Sequence, residues 1–424
     1  MDPSPIQVTR RTTCRLCDSR RLERVVPLAP TPVAEKYVTR EHLDESTPSY
    51  PLDLHLCLDC GHVQLLDVVD PVYLFDHYTY MSGNTKPLVQ HFQEVADSTG
   101  ERYGVRPGDL VIDVGSNDGS LLRAFQKRGA KVLGIDPARE IARRATEGGI
   151  PTLPEFLTHT LAARILRDHG PARVVCAFNV FAHADDLAGM TDSIQALLAP
   201  DGVFVCEFSY LLDILDRKLL GTIFHEHLSH HSVKPLAAFL ERHGLQFIDV
   251  QRNGIQGGSI VGTAQRLGGP HPVLPSVPEI LALESRVGLD QPATLRRFSD
   301  SLQDLRTRVA ALVADIQAQG KRLWGYGAAR SGTTLIAQMN LGRAIESIVD
   351  DGADKQNKFS PGDHIPIRPS SALLAEQPEY VIILAWIHAD RIIQNNQAYL
   401  ERGGRFIVCF PELRIVGDGR PTAA

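Results

Sequence analysis

Four histidines and a glutamate fall within the eleven residues Thr222–Ser232, TIFHEHLSHHS. Imidazole is the side chain whose ordinary pKa, about 6.5, lets it gain or lose a proton near neutrality. Such a cluster can be a metal site, a general base or a coincidence of surface composition. His225 and His227 are two apart, and His227 and His231 four apart. This is not the H-E-x-x-H pattern that sets two metal ligands one helical turn apart, and no helix-start signal precedes it. The pattern therefore speaks against a catalytic metal, leaves a base and a surface coincidence open, and assigns no role to His230 or His231.

A second constellation is made of sulfur. Cys14-x-x-Cys17 and Cys57-x-x-Cys60 are two pairs with 39 residues between them. A C-x-x-C turn aims two thiolates at one point about 2.3 Å from a zinc ion, and two such knuckles complete a tetrahedron. With four protein sulfurs the site is structural and has no open position for catalysis. Gly61, just after Cys60, suits the tight turn of a knuckle. A zinc ribbon that binds nucleic acid is the alternative, and the acidic flank LLDVVD speaks against it. Cys176, Cys206 and Cys409 lie in apolar runs and are expected in the core.

The elements that must position these groups begin near Arg106. DLVIDVGSNDGSLLRAFQKRGA reads as strand, glycine turn and amphipathic helix, and KVLGIDPAREIARRATEGG repeats the order. RVVCAFNVFAHADDL and DGVFVCEFS supply further strands. This alternation predicts an α/β fold with a parallel sheet and ligands at the carboxyl ends of its strands. The turn spans Gly115 to Gly119 and contains Asn117 and Asp118. It lacks the G-x-G-x-x-G of dinucleotide enzymes, and Asp113 precedes its first glycine. Asp136 ends the next strand, 23 residues beyond Asp113, where a carboxylate can bind both hydroxyls of a ribose. The combination favours S-adenosylmethionine over NAD; the plain alternative is that Asp118 and Asp136 cap helices.

The C-terminal third repeats the theme. A helical apolar period (Leu302, Leu305, Val309, Leu312, Ile316) leads into RLWGYG and then the loop GYGAARSGTTL. A strand, glycine loop and helix start present backbone N–H groups to a pyrophosphate. Gly325, Tyr326 and Gly327 form the loop, Arg330, Ser331 and Thr333 add donors, and Asp350 ends the following strand at a distance suited to a ribose or base. Taken alone this block serves NAD almost as well. A nicotinamide-dependent sugar oxidoreductase is thus the second reading, and a non-catalytic zinc scaffold the third.

At 424 residues the chain exceeds one hydrophobic core. Its 43% hydrophobic and 22% charged residues are ordinary for a globular protein, and a formal charge of −6 argues against nucleic acid as the main partner. The N-terminus lacks the apolar core of a secretory signal, and no apolar run is long enough to span a bilayer. A cytoplasmic protein with no membrane partner, monomeric or dimeric, is expected.

Taken in order, the four cysteines, VIDVGSNDGSLL, FNVFAHADDL, TIFHEHLSHHS and LWGYGAARSGTTL resemble the sugar C-methyltransferases. These act on nucleotide-linked 4-keto-deoxysugars, as in the making of branched antibiotic sugars. The resemblance runs from Cys14 to about Glu412 and implies three domains. They are a zinc-binding module (1–75), a Rossmann-like S-adenosylmethionine-dependent methyltransferase domain (76–290) and a C-terminal Rossmann-like nucleotide-sugar domain (291–424). It implies His227 as general base beside Glu226, with Tyr78 and His183 in supporting catalytic roles. Tyr80 falls on the sugar side and Asn179 on the cofactor side. The implied substrate is a keto-deoxysugar on a nucleotide, dTDP by family habit, alkylated at C3. Two positions depart from the family pattern. Phe224 replaces a tyrosine on the sugar side, and Ser331, with Arg330 beside it, replaces a lysine of the C-terminal loop.

Overall fold

The computed structural model describes residues 7–75 and 81–417. The chain forms two compact units: Met1–Glu23, His55–Leu212 and Glu226–Gln291 make the first, and Arg24–Leu54, Asp213–His225 and Pro292–Ala424 the second. The tyrosines Tyr78 and Tyr80 lie outside the described residues.

The first unit is built on a seven-stranded sheet. In chain order its strands are β1 (Leu110–Val114), β2 (Lys131–Ile135), β3 (Thr152–Leu153), β4 (Ala172–Phe178), β5 (Leu198–Ser209), β6 (Leu245–Asn253) and β7 (Ser259–Arg266). Their spatial order is β3-β2-β1-β4-β5-β7-β6. The first five are parallel, and β7 runs antiparallel between β5 and β6. The β-branched runs in β1, β4 and β5 are buried on both faces, as a sheet covered by helices requires. Cys176 and Cys206 are fully buried there, as expected. The order reverses between β1 and β4, and at such a switch point the loops leave in opposite directions and open a crevice at the strands' carboxyl ends. This strand order, with its antiparallel seventh strand, is an open α/β sheet wound outward in both directions from β1 and β4.

A small sheet belongs to the same unit. Val63–Gln64 pairs antiparallel with Leu54–Cys57 on one side and with Ser229–His230 on the other. The segment Thr222–Ser232 is therefore not helical: a short 3-10 turn at Leu220–Thr222 is followed by an irregular stretch and this strand. His227 and His231 share no helical face.

In the second unit, β8 (Leu323–Tyr326), β9 (Ile348–Asp350), β10 (Ile367–Pro369), β11 (Tyr380–Ile383), β12 (Arg405–Val408) and β13 (Arg414–Val416) stand in the order β10-β9-β8-β11-β12-β13. All are parallel except β13. The expected helix before β8 is Pro292–Ala318; it buries Leu302, Leu305, Val309 and Ile316, with Val313 rather than Leu312 completing the stripe. Among the described residues no helix is long and apolar enough to cross a membrane.

Asp113 sits in the middle of the first sheet, paired with Gly134 on β2 and Cys176 on β4. Its Oδ1 is buried and has no hydrogen-bond partner among the described residues. Burial, and then the charge of Asp136, push its pKa up to about 8. An unfolded aspartate loses its proton near pH 3.9, so between about pH 4 and 8 the native state holds the extra proton. Stability from this group is thus full at low pH and falls as pH rises through that window. Asp113→Asn is expected to flatten the decline: between pH 5 and pH 8.5 the wild-type melting temperature should drop by several degrees more than the variant's. Equal drops would contradict a protonated Asp113.

Candidate functional site

The two cysteine pairs form matching turns. Asp18 N–H donates to Cys14 O (3.0 Å) and Gly61 N–H to Cys57 O (2.9 Å). The residue closing each turn is left-handed, Asp18 at φ 56° and Gly61 at φ 80°. Glycine is required at 61 on a second count, since a Cβ there would stand 2.5 Å from Asp290 Cβ. The turns bring all four sulfurs within 4.8 Å of one another. Cys14 and Cys60 are 3.6 Å apart, and Cys17 and Cys57 3.5 Å. A tetrahedron with metal–sulfur bonds of about 2.3 Å has edges of about 3.8 Å, so the site fits a zinc ion held by four thiolates.

At the carboxyl ends of β1 to β4 lies a cavity of about 480 Å³, within the range of small-molecule sites. Gly115 and Asn117 line it after β1, Asp136 after β2, Glu155 and Phe156 after β3, and Asn179 and His183 after β4. Gly115 has φ 70°, and a Cβ on it would meet Val180 Cγ2 at 2.2 Å, so only glycine lets the backbone turn under a ligand here. Asp136 is buried; its Oδ2 accepts from Asn117 N–H (2.8 Å) and its Oδ1 from Ala138 N–H (2.9 Å). Burial raises its pKa, and those two hydrogen bonds oppose the rise. Each oxygen keeps a lone pair for a ribose hydroxyl. The residues suit S-adenosylmethionine: a small turn under the amino-acid end, a carboxylate for the ribose and a half-exposed aromatic ring, Phe156, for a base.

Two of the cofactor-side residues do not line the cavity. Asp113 lies beneath it within β1. Asp118 holds the start of the helix Ser120–Lys127, accepting from Ser120 N–H (3.1 Å), and it also accepts from Gly83 N–H (2.7 Å). Gly119, not Asp118, is the N-cap residue of that helix, so Asp118 braces the turn from one position before the cap.

His227 is half buried. Its ring centroid is 5.0 Å from that of His183, which lines the cavity. Backbone pairing explains the approach. Leu65 N–H donates to Leu228 O (2.9 Å), and Ser229 N–H donates to Ala182 O (3.0 Å). The segment carrying His227 is thus pinned between the strand of the cysteine module and the loop that carries His183. Glu226 is buried next to it in the chain. His230 and His231 are fully covered, and burial pushes their pKa values down to about 3 and about 4, so both are neutral near pH 7 and pack as core.

Three more contributors left no sequence pattern. Glu207, at the end of β5 and fully buried, shares one oxygen between His91 Nε2 (2.9 Å) and Asn253 Nδ2 (3.0 Å). Asn253 Oδ1 accepts from Ile255 N–H (2.8 Å) and so fixes the turn whose Gln256, at φ 51°, reaches the cavity. From sequence the stretch QGGSI, Gln256–Ile260, reads equally as a tight turn near the site or a plain hairpin. Phe156 follows a two-residue strand too short to announce itself.

In the second unit Gly325 and Tyr326, expected in the loop, are the last residues of β8, because both pair with the strands on either side; Gly327 opens the turn into the helix Arg330–Met339. Asp350 at the end of β9 accepts from Ala328 N–H (2.7 Å) and Gly352 N–H (2.7 Å), so its carboxylate braces the two loops. Tyr37 OH and Lys355 Nζ both donate to Ala328 O. Arg330 Nε donates to Glu35 (2.8 Å), and its guanidinium lies 5.8 Å from the Phe224 ring. Tyr326 OH donates to Asp351 (3.3 Å), Ser331 Oγ to Leu384 O (3.2 Å), and Thr333 is buried. The two positions that depart from the family pattern, 224 and 330–331, are therefore neighbours.

Three family models cover most of the chain: a zinc binding domain over residues 14–75, a methyltransferase domain over 88–250 and a C-methyltransferase C-terminal domain over 254–411. C-methyltransferase NovU of Streptomyces niveus is 38% identical over 404 residues, covering 95% of this chain and 96% of that one. A ubiquinone biosynthesis O-methyltransferase of Burkholderia pseudomallei (strain 1710b) is 26% identical over 157 residues, 34% of this chain and 68% of its own. Magnesium protoporphyrin IX methyltransferase of Synechocystis PCC 6803 with bound SAH aligns with 45% of this chain and 90% of its own, at 22% identity and a TM-score of 0.33. With a methyltransferase domain at the first glycine turn, the oxidoreductase and scaffold readings have no remaining support. The chain belongs to the C-methyltransferase family and is an S-adenosylmethionine-dependent methyltransferase with a zinc-binding N-terminal domain.

Proposed function

We propose that the protein methylates carbon, at C3, of a nucleotide-linked 4-keto-deoxysugar, probed first with dTDP sugars, in the making of a branched natural-product sugar in the cytoplasm. The proposed division of labour is zinc module 1–75, methyl transfer 76–290 and sugar-nucleotide recognition 291–424. The observation that carries the reading is the His183–His227 pair, 5.0 Å between rings, with His183 lining the cofactor-side cavity.

Carbon must be made nucleophilic before it can accept a methyl group. A proton next to a ketone is weakly acidic, and a base with a pKa near neutrality, within hydrogen-bond reach, is suited to remove it. His227 takes that proton, with Glu226 helping to set its tautomer. His183 and Tyr78 donate to the enolate oxygen, which is worth roughly 3–4 kcal/mol for a well-aimed donor. S-adenosylmethionine supplies the methyl group. The C-terminal glycine loop and Arg330 receive the pyrophosphate, Asp350 holds that loop's shape, and Phe224 and Tyr80 lie on the sugar side.

Incubation with a panel of 4-keto nucleotide sugars and methyl-labelled S-adenosylmethionine tests the reading. The label should appear on the carbon beside the ketone; transfer to oxygen, or to no sugar in the panel, would refute it. Phe224→Tyr should change kcat/KM or substrate preference on the order of tenfold, the worth of one hydrogen bond; unchanged kinetics would remove position 224 from the sugar side. Stripping zinc with a chelator should lower turnover at least roughly 100-fold through misplacement of His227, while calorimetry still shows cofactor binding. Full turnover without zinc would contradict a positioning role for the module.

A further inference from the structure

The residue after the first zinc ligand is an arginine with no exposed side-chain surface. Arg15 Nη1 faces three acceptors: Gln64 Oε1 at 3.1 Å, Leu65 O, and Leu228 O at 3.3 Å. Its Nε donates to Asp185 Oδ1 (2.9 Å), and its own backbone N–H donates to Gln64 Oε1 (3.1 Å). Leu65 and Leu228 are the two residues whose backbones pair at the edge of the His227 segment. Asp185 lies two residues beyond His183 and lines the same cavity. One guanidinium, carried on the first cysteine turn, thus touches the strand beside it, the residue after His227 and the loop of His183.

Burying a cation is costly; here Nε and Nη1 are matched while the buried Nη2 has no acceptor among the described residues, and the geometric return of the arginine fork is a fixed set of distances between the groups it bridges. A surface role is excluded by its burial. A purely structural role leaves unexplained why two of its partners, Leu228 and Asp185, flank the two histidines.

We infer that Arg15 is a positioning residue of the methyl-transfer centre: it sets the spacing of His227 and His183 and links that spacing to the zinc turn. The inference rests on the proposed proton abstraction by His227. It does not require Arg15 to touch substrate.

The test uses the full-length protein and the variants Arg15→Met, Arg15→Lys and Asp185→Asn. Four quantities are measured: zinc content, S-adenosylmethionine affinity by calorimetry, turnover, and solvent exchange of the proton beside the ketone. Arg15→Met is expected to keep its zinc and its cofactor affinity while kcat and proton exchange fall together by roughly 100-fold, the cost of about 1 Å of misplacement. Arg15→Lys should recover part of both, and Asp185→Asn should lose less than Arg15→Met in both. Wild-type exchange in Arg15→Met overturns the inference alone. Loss of zinc and cofactor binding in Arg15→Met, with Arg15→Lys and Asp185→Asn exchanging at the wild-type rate, also overturns it and leaves a folding role. No exchange in the wild type itself would instead refute the proton-abstraction reading.

Discussion

Two residue pairs of antiparallel strand, Ser229 against Gln64 and His230 against Val63, decide where His227 stands. Without that ladder the segment from Glu226 to Leu228 has no regular structure to fix it. A ladder this short is weak by itself. Its firmness comes from what lies behind it: Val63 and Gln64 follow directly on the Cys57–Gly61 turn, so metal binding by the four thiolates stiffens the strand. A module of this size buries too little apolar surface to fold firmly unaided, and small domains of this kind use a metal in place of a core. A zinc held by the four thiolates would, on this view, be what lets one imidazole be held at a set distance from another.

The same economy governs the electrostatics. Of the histidines in the cluster, His230 and His231 are held neutral by burial, as is His62, which stacks on His231 at 5.4 Å between centroids. His227 is the half-buried member. Neutral core rings thus surround the one partly exposed ring, which the proposed function uses as its base. On the cofactor side, Asp113 keeps its proton and Asp136 spends its charge on two backbone N–H groups, so two carboxylates that interact across the sheet avoid mutual repulsion.

What could be read in the sequence was what is local. The cysteine pairs, the glycine turn after β1 and the carboxylate ending β2 are each defined within a few residues, because turn geometry and ligand spacing are short-range. Arg15 was silent: its partners Gln64, Asp185 and Leu228 lie 49, 170 and 213 residues away, and a lone arginine reads as surface. The unit boundaries were silent for the same reason, since Arg24–Leu54 joins the C-terminal residues through tertiary contacts that leave no periodicity. Asp350 was legible as the residue that ends its strand, whereas its bracing of Ala328 and Gly352 needed coordinates.

The central claim is that one imidazole removes a proton from carbon before any methyl group is transferred. It is tested most directly by incubating substrate and enzyme in deuterium oxide with the inert product S-adenosylhomocysteine in place of the methyl donor, and following deuterium at the carbon beside the ketone. Wild type should incorporate deuterium stereospecifically, and His227→Gln should not, while binding the cofactor analogue with unchanged affinity. Wild-type incorporation by His227→Gln would contradict the account.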